Sequence, residues 1–165
     1  MALFLDLFDR TIKDQKGEDL FRLKKCEPEF FERIVSILPV HVAALNKQEL
    51  IKTLEVLIKR ELGADRLYQN YLFLSVERHI MRFNVNEYCR TLRALSDKGY
   101  VDDVVFWDDY MFKWVHEDRF GKERSFSPQE AKKVWDTLFF LKLRCPSIDL
   151  RDTLKQCEKF MPAPK

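Results

Sequence analysis

Few side chains in this sequence are spaced as catalytic or metal-binding groups usually are. The three histidines, His41, His79 and His116, lie far apart, and none belongs to an H-E-x-x-H pair. Zinc and iron sites draw their ligands from short, regular spacings, so we predict no metal site. His116 is followed by Glu117 and Asp118, but adjacent helical residues do not face each other. We interpret these three residues as a solvated helix end.

The cysteines also lack a metal-binding, disulfide or nucleophile pattern. No C-x-x-C pair occurs, and the four residues are widely separated at Cys26, Cys89, Cys145 and Cys157. Three of them lie in segments with helical periodicity. We therefore expect free thiols in a reducing compartment rather than a disulfide framework.

Two acidic pairs, Asp102-Asp103 and Asp108-Asp109, are the remaining groups that could bind a divalent ion or act as acid and base. The first pair lies in the first turn of a predicted helix, where the helix dipole favours negative charge. The second pair is most simply a solvated strip on an otherwise apolar helix. No phosphate-binding glycine loop is present, and the chain has only four glycines. We expect no cofactor, no small-molecule substrate and no enzymatic activity.

A basic segment with two aromatic residues, residues 119–126, lengthens the turn between two predicted helices. Arginine and aromatic side chains are enriched in the energetic centres of interfaces and also stack on unpaired bases. We rank this segment first among weak candidates for partner contacts. The full candidate set is Trp114, Arg119, Phe120, Lys122, Arg124, Phe126, Lys132 and Lys133. The alternative is a solvated connector whose two phenylalanines pack back on the helices.

Composition and charge narrow the possible partners. The 165 residues include 29 Lys and Arg against 27 Asp and Glu, and the net charge of +2 gives little long-range attraction for a polyanion. No apolar run reaches the roughly 20 residues that a membrane-spanning helix needs. The hydrophobic start of the chain is interrupted by Asp6 and Asp9, so we predict neither a signal peptide nor a mitochondrial presequence.

A helix-start signal recurs three times along the chain. Asn46-x-x-Glu49, Asn84-x-x-Glu87 and Ser127-x-x-Glu130 each have the form of a capping box, and they are spaced 38 and 43 residues apart. Each is followed by apolar residues on one helical face. The spacing predicts an all-α fold of stacked antiparallel helical hairpins, a short α-solenoid of three to four repeats. The alternative is a single irregular helical bundle in which the capping boxes recur by coincidence.

The periodicity also predicts where the helices and repeats begin and end. We expect one helical-repeat domain over 1–165, with a degenerate first unit at 1–45 and repeat units at 46–83, 84–126 and 127–160. Pro28 is a plausible helix start and Pro39 a stop, while Gly63 and Gly99 suit the left-handed position after a helix end. The predicted helices are 2–14, 18–25, 28–38, 46–62, 65–82, 84–98, 102–118, 128–142 and 149–160.

Residues 84–110 resemble the hairpin repeats of the pentatricopeptide, octotricopeptide and heptatricopeptide groups of organellar proteins. Those repeats share a capped helix with Leu-x-x-Leu, a Gly-Tyr turn, and an acidic start to an aromatic-rich second helix. The corresponding positions here are Leu92, Leu95, Gly99, Tyr100, Asp102 and Trp107. The other two units are similar more loosely, over about 46–160.

The resemblance implies an organellar protein, usually mitochondrial, and most often one that binds RNA. The chain is short and nearly neutral, whereas proteins that read RNA base by base need many repeats. We therefore expect a non-catalytic accessory subunit of a large complex, with the catalytic head of ATP synthase as the best candidate partner. The alternative is an organellar RNA-binding protein.

Overall fold

The computed structural model describes residues 18–99, 102–118 and 120–161, and in these residues it contains seven helices and no strand. The predicted all-α class is confirmed. The chain divides into two compact units, Met1–Ser75 and Val76–Lys165. The single domain and the solenoid stacking of repeats stay predictions, and the helix expected at 2–14 lies outside the described residues.

The first described helix, α1, is longer than predicted. It runs over Glu18–His41 without a break and contains both Pro28 and Pro39, so the predicted start and stop at these prolines are wrong. A proline inside a helix removes one hydrogen bond and costs about 3 kcal/mol. A buried stripe at i, i+3 and i+7, formed by Phe31, Ile34 and Leu38, offsets that cost by packing within the first unit.

The helix α2 spans Lys47–Lys59 and packs against α1 through a small apolar cluster of Phe31, Ile34 and Val56, with Leu62 beside it. Its end is a Schellman motif: Leu62 N–H donates to Leu57 O at 2.8 Å, and Glu61 N–H donates to Ile58 O at 3.0 Å.

Helix α3 follows over 65–82 and changes its winding three times. It comprises Asp65–Leu67 (α), Tyr68–Leu72 (π), Phe73–His79 (α) and Ile80–Arg82 (3-10). The boundary between the two units falls inside this helix.

The second unit holds the remaining helices around an aromatic core. These are α4 (Val85–Lys98), α5 (residues 104–116, with the π segment Phe106–Phe112), α6 (Pro128–Arg144) and α7 (Arg151–Glu158). Helix α6 packs against both α4 and α7, and the end of α5 packs against α7. Trp107, Trp114 and Tyr88 are among the largest fully buried side chains.

All three predicted capping boxes are present. The side chains of Asn46, Asn84 and Ser127 each accept from the backbone of the third helical residue, and the acid there accepts from the cap backbone. These reciprocal bonds satisfy two backbone donors that a helix start would otherwise leave unpaired. The starts of these three helices were therefore predicted correctly.

The 38-residue spacing also recurs in local backbone conformation. The 3-10 turn Val42–Ala44 precedes the first cap as Ile80–Arg82 precedes the second. The π segments Tyr68–Leu72 and Phe106–Phe112 likewise begin 38 residues apart. Two successive stretches of the chain thus share the same sequence of windings.

Candidate functional site

The predicted contact segment is a hydrogen-bonded connector between α5 and α6. An isolated antiparallel bridge pairs Glu117 with Glu123, and Asp118 N–H donates to Lys122 O at 2.7 Å. The Asp118 carboxylate accepts from the backbone of Phe120 at 2.8 Å and of Lys122 at 3.1 Å. These bonds, the first above all, hold the pKa of Asp118 below its usual range. Gly121 adopts φ +70°, which lets the tight turn close.

Arg124 fixes the returning segment of the connector to the end of α5. Its Nε donates to Trp114 O at 2.6 Å and to Glu117 O at 3.0 Å, and its guanidinium carbon lies 3.9 Å from the centroid of the Trp114 ring. Burial lowers the pKa of this half-buried guanidinium, but arginine remains charged. Arg124 therefore supports the connector as a structural anchor.

A second anchor ties the connector to α7. The Glu123 carboxylate accepts from Gln156 Nε2 at 2.8 Å and from Lys159 Nζ at 2.9 Å. The two bonds, the one from Lys159 first, lower the pKa of Glu123. Two adjacent residues, Glu123 and Arg124, thus tie the returning side of the connector to α7 and to the end of α5.

Trp114 and Phe126 are buried, contrary to the prediction that they contact a partner. Trp114 is 0% exposed and Phe126 6% exposed, and their rings lie 6.0 Å apart. Phe126 precedes the cap residue Ser127, as the buried Leu45 and Phe83 precede the two other caps. A hydrophobic residue at this position packs against the first turns of its helix. The role of both aromatic residues is to hold the connector.

Phe120, unlike Trp114 and Phe126, is exposed and lies at the tip of the connector. It is 70% exposed, and it lines a cleft of about 680 Å³ together with Met81, Arg82, Phe83, Asn84, Asp118 and Arg124. Phe126 packs back on the helices, whereas Phe120 is mostly exposed. Lys122 is exposed beside Phe120, and Arg119 lies outside the described residues.

The lysine pair on α6 has internal partners. Lys132 forms an ion pair with Asp136 at 3.2 Å, and Lys133 donates to Asn86 on α4. Together with Arg93 and Gln129 they line an open groove of about 340 Å³ between α4 and α6. The groove lies on α4 and α6, whereas Phe120 lies on the connector.

The acidic pairs take different positions. Asp103 accepts from the backbone of Phe106 at 3.0 Å and so caps α5, as expected for a helix start. Asp108 lines a cleft of about 330 Å³ between α5 and α7, with His116, Glu117 and Asp152 among its other lining residues. Within the described part of the chain, no group of three or more His, Cys, Asp or Glu side chains is arranged to hold a metal ion.

The sequence holds one signal for the burial of Phe126. The residue before each capping box is Leu45, Phe83 or Phe126, so alignment of the three units predicts a buried side chain at Phe126. The hydrogen bonds of Glu123 have no comparable signal, because its partners Gln156 and Lys159 are brought to it by the tertiary fold.

Comparison with known proteins gives no relative. The chain matches no protein-family model, no curated protein and no solved structure. Of the helices in the described residues, none has the length and apolar character required to cross a membrane.

Proposed function

We propose that this chain is a non-catalytic accessory subunit of a larger mitochondrial complex and that it binds a neighbouring protein subunit. The observation that carries the proposal is Phe120, a large apolar side chain 70% exposed on a connector that Arg124 and Glu123 tie to the neighbouring helices. Aromatic anchors held in advance lose little conformational entropy on binding, and they dominate the energetics of many interfaces.

A second apolar surface on α6 supports a protein partner. Trp135 and Phe139 stack with ring centroids 5.0 Å apart, and Leu143 continues the same helix face one turn later. Phe139 is 43% and Leu143 65% exposed. Contiguous exposed apolar side chains commonly mark interaction sites. The nearly balanced charge of the chain also favours a protein over a polyanion.

The identity of the complex rests on the resemblance to organellar helical repeats. A short repeat protein of this kind is similar to the small pentatricopeptide-like subunit on the catalytic head of euglenozoan ATP synthase. We therefore propose mitochondria as the location and the catalytic head of ATP synthase as the first partner to examine.

The proposal is tested by isolating the tagged chain from mitochondria of its native organism, before and after ribonuclease treatment. Stoichiometric ATP synthase subunits, or those of another complex, that survive ribonuclease are the expected result. Recovery of the chain without any stoichiometric protein contradicts the proposal.

RNA binding is the second candidate, because Arg93, Lys132 and Lys133 line one groove between α4 and α6. All three cations already have neighbours: Lys132 pairs with Asp136, the Arg93 guanidinium lies over the Phe140 ring, and Lys133 donates to Asn86. Binding of a single-stranded RNA that weakens steeply as salt increases, and that is lost in Lys133→Glu, would favour this candidate.

A further inference from the structure

The three helices that begin at a capping box differ in exposure at two corresponding positions. These positions are the eighth and twelfth residues after the cap: Leu54 and Ile58 in α2, Leu92 and Ser96 in α4, and Trp135 and Phe139 in α6. The four residues in α2 and α4 are at most 9% exposed, whereas Phe139 is 43% exposed. Helix α6 therefore exposes a surface that is covered on both of its counterparts.

Helix α6 covers this side of α4. Three contacts join the two helices at a constant separation of 47 residues: Asn86 with Lys133, Arg93 with Phe140, and Asp97 with Arg144. A constant separation means that the two helices run parallel. Ser96 lies on the same side, because it follows by two turns Cys89, whose thiol donates to Lys133 O at 3.9 Å. In this chain, the side of a capped helix that holds the twelfth position is thus covered by another helix.

The exposed apolar face of α6 forms a straight stripe of Trp135, Phe139 and Leu143, which we call the α6 stripe. These residues are four positions apart, so they lie on one side of the helix over about 12 Å. Trp135 follows Lys133 by two residues and therefore points about 200° around the axis from the contact with α4. The Trp135 indole N–H donates to Glu158 on α7 at 3.2 Å. The stripe is thus held in position and faces away from α4.

The surroundings of the stripe favour an apolar helix as its occupant. Lys132 and Asp136 each lie three residues before a stripe residue, and the two pair with each other at 3.2 Å. A helix surface also offers no backbone donors or acceptors for an extended segment, whose own backbone groups would stay unpaired against it. A helix satisfies its backbone internally, and its side chains can pack beside the row that residues four apart form.

We propose that the α6 stripe binds the apolar face of an amphipathic helix of the partner protein, which lies alongside α6 as α6 lies alongside α4. The inference rests on the proposed function and names the kind of surface that the partner presents. It continues, at the exposed side of α6, the packing of capped helices that the chain itself contains.

The test titrates the full isotope-labelled chain with two synthetic helical peptides of identical composition, built from Leu, Ala, Glu and Lys. In one peptide the leucines recur at i, i+4 and i+7 and form one apolar face, and in the other they are dispersed around the helix. We expect saturable amide shifts at Trp135, Phe139 and Leu143 with the amphipathic peptide only. The absence of saturable shifts, equal binding of both peptides, or shifts confined to another surface overturns the inference.

Variants locate the contact. Phe139→Asp and Leu143→Asp should each weaken binding of the amphipathic peptide by about tenfold or more. Both positions are exposed, so either variant leaves the buried residues of α6 in place. Ile37→Asp is the matched control, because it removes a side chain of similar exposure, 47%, from α1, and it should leave binding unchanged. Unchanged binding in both α6 variants, with dispersed native spectra, also overturns the inference.

Sedimentation of the chain without peptide tests whether a second copy occupies the stripe instead. We expect a monomer. A stable dimer that Phe139→Asp and Leu143→Asp dissociate would make a second copy the occupant and would overturn the inference.

The same variants separate this inference from the proposed function. If the tagged chain retains a stoichiometric protein partner in mitochondria but the amphipathic peptide does not bind, the inference fails and the proposed function stands. If no protein partner is found, the proposed function fails, and the titration still decides whether the α6 stripe binds a helix.

Discussion

The indole ring of Trp114 lies parallel to the phenol ring of Tyr88, with ring centroids 3.8 Å apart and planes inclined by 7°. Tyr88 belongs to α4 and Trp114 to the end of α5, so the pair joins two helices of the second unit. The Arg124 guanidinium also lies over the indole. The position of the connector and the packing of the core therefore both depend on the Trp114 indole.

Tyr88→Phe is expected to lower the free energy of unfolding by about 1–2 kcal/mol. The fully buried Tyr88 hydroxyl donates to Met111 O at 3.0 Å, inside the π segment of α5, and the substitution leaves that carbonyl without this donor. Urea unfolding measures the change. Tyr71→Phe, at an exposed position of α3, is the matched control and should shift stability by less than about 0.5 kcal/mol. An equal effect of the two variants would show that the buried bond contributes nothing.

Arg124→Lys is expected to loosen the connector although it keeps the charge. A lysine ammonium cannot lie flat on Trp114 and also donate from the Nε position to two carbonyls. Hydrogen exchange at the amides of Lys122 and Arg124, which bond across the connector turn or to His116 O, should become faster. Lys122→Arg, at an exposed position, is the control. Unchanged exchange in Arg124→Lys would show that Arg124 does not anchor the connector.

Helix starts could be predicted from the sequence because capping is local. Each box needs only the cap residue and an acid three positions later, and all three boxes form. The continuation of α1 through Pro28 could not be predicted in the same way. The local cost of proline is outweighed by the burial of Phe31 and Ile34, which depends on α2. Local signals therefore fail where tertiary packing competes with them.

In the candidate site, too, local sequence predicts some features and only the tertiary fold determines the others. Composition selected residues 119–126 as a contact segment, and Phe120 is indeed exposed there. Composition could not separate Phe120 from Phe126, since the two differ only in their place relative to the cap at Ser127. Nor could it show that Glu123 bonds to α7, because that contact joins residues 33 and 36 positions apart.

Glu61→Gly is expected to stabilise the chain by about 0.5–1 kcal/mol. Glu61 has φ +54° and occupies the left-handed position of the Schellman motif that ends α2, where glycine is usual. The predicted glycine for this position, Gly63, lies two residues later, although it also has a positive φ of +83°. Thermal unfolding should show a higher midpoint for Glu61→Gly but not for Glu61→Ala, which keeps the Cβ atom. A lower midpoint for Glu61→Gly would show that the left-handed backbone of Glu61 does not destabilise the chain.

Protonation of Asp118 is expected to release the connector turn. Because the pKa of Asp118 in the folded chain is lowered, its stabilising contribution is present above the ordinary carboxyl value of about 3.9 and is lost as the pH falls through the lower folded value. The amide resonances of Phe120 and Lys122 should titrate together in that acidic range. Asp118→Asn retains the acceptor oxygen, so these amides should not titrate there. Titration of the wild type at or above the ordinary carboxyl value would exclude the two hydrogen bonds as the cause.

Two buried thiols are expected to resist alkylation in the folded chain. Cys157 is 0% exposed, and burial, with Cys89 and Glu158 nearby, raises its pKa to about 12; burial also raises the pKa of Cys89. Because the thiolate is the nucleophile, iodoacetamide at pH 8 should label neither residue until urea unfolds the chain. Leu143→Cys places a thiol at a 65% exposed position and should be labelled at once, which mass spectrometry of the peptides resolves. Labelling of Cys157 as fast as the introduced thiol would mean that the core of the second unit opens readily.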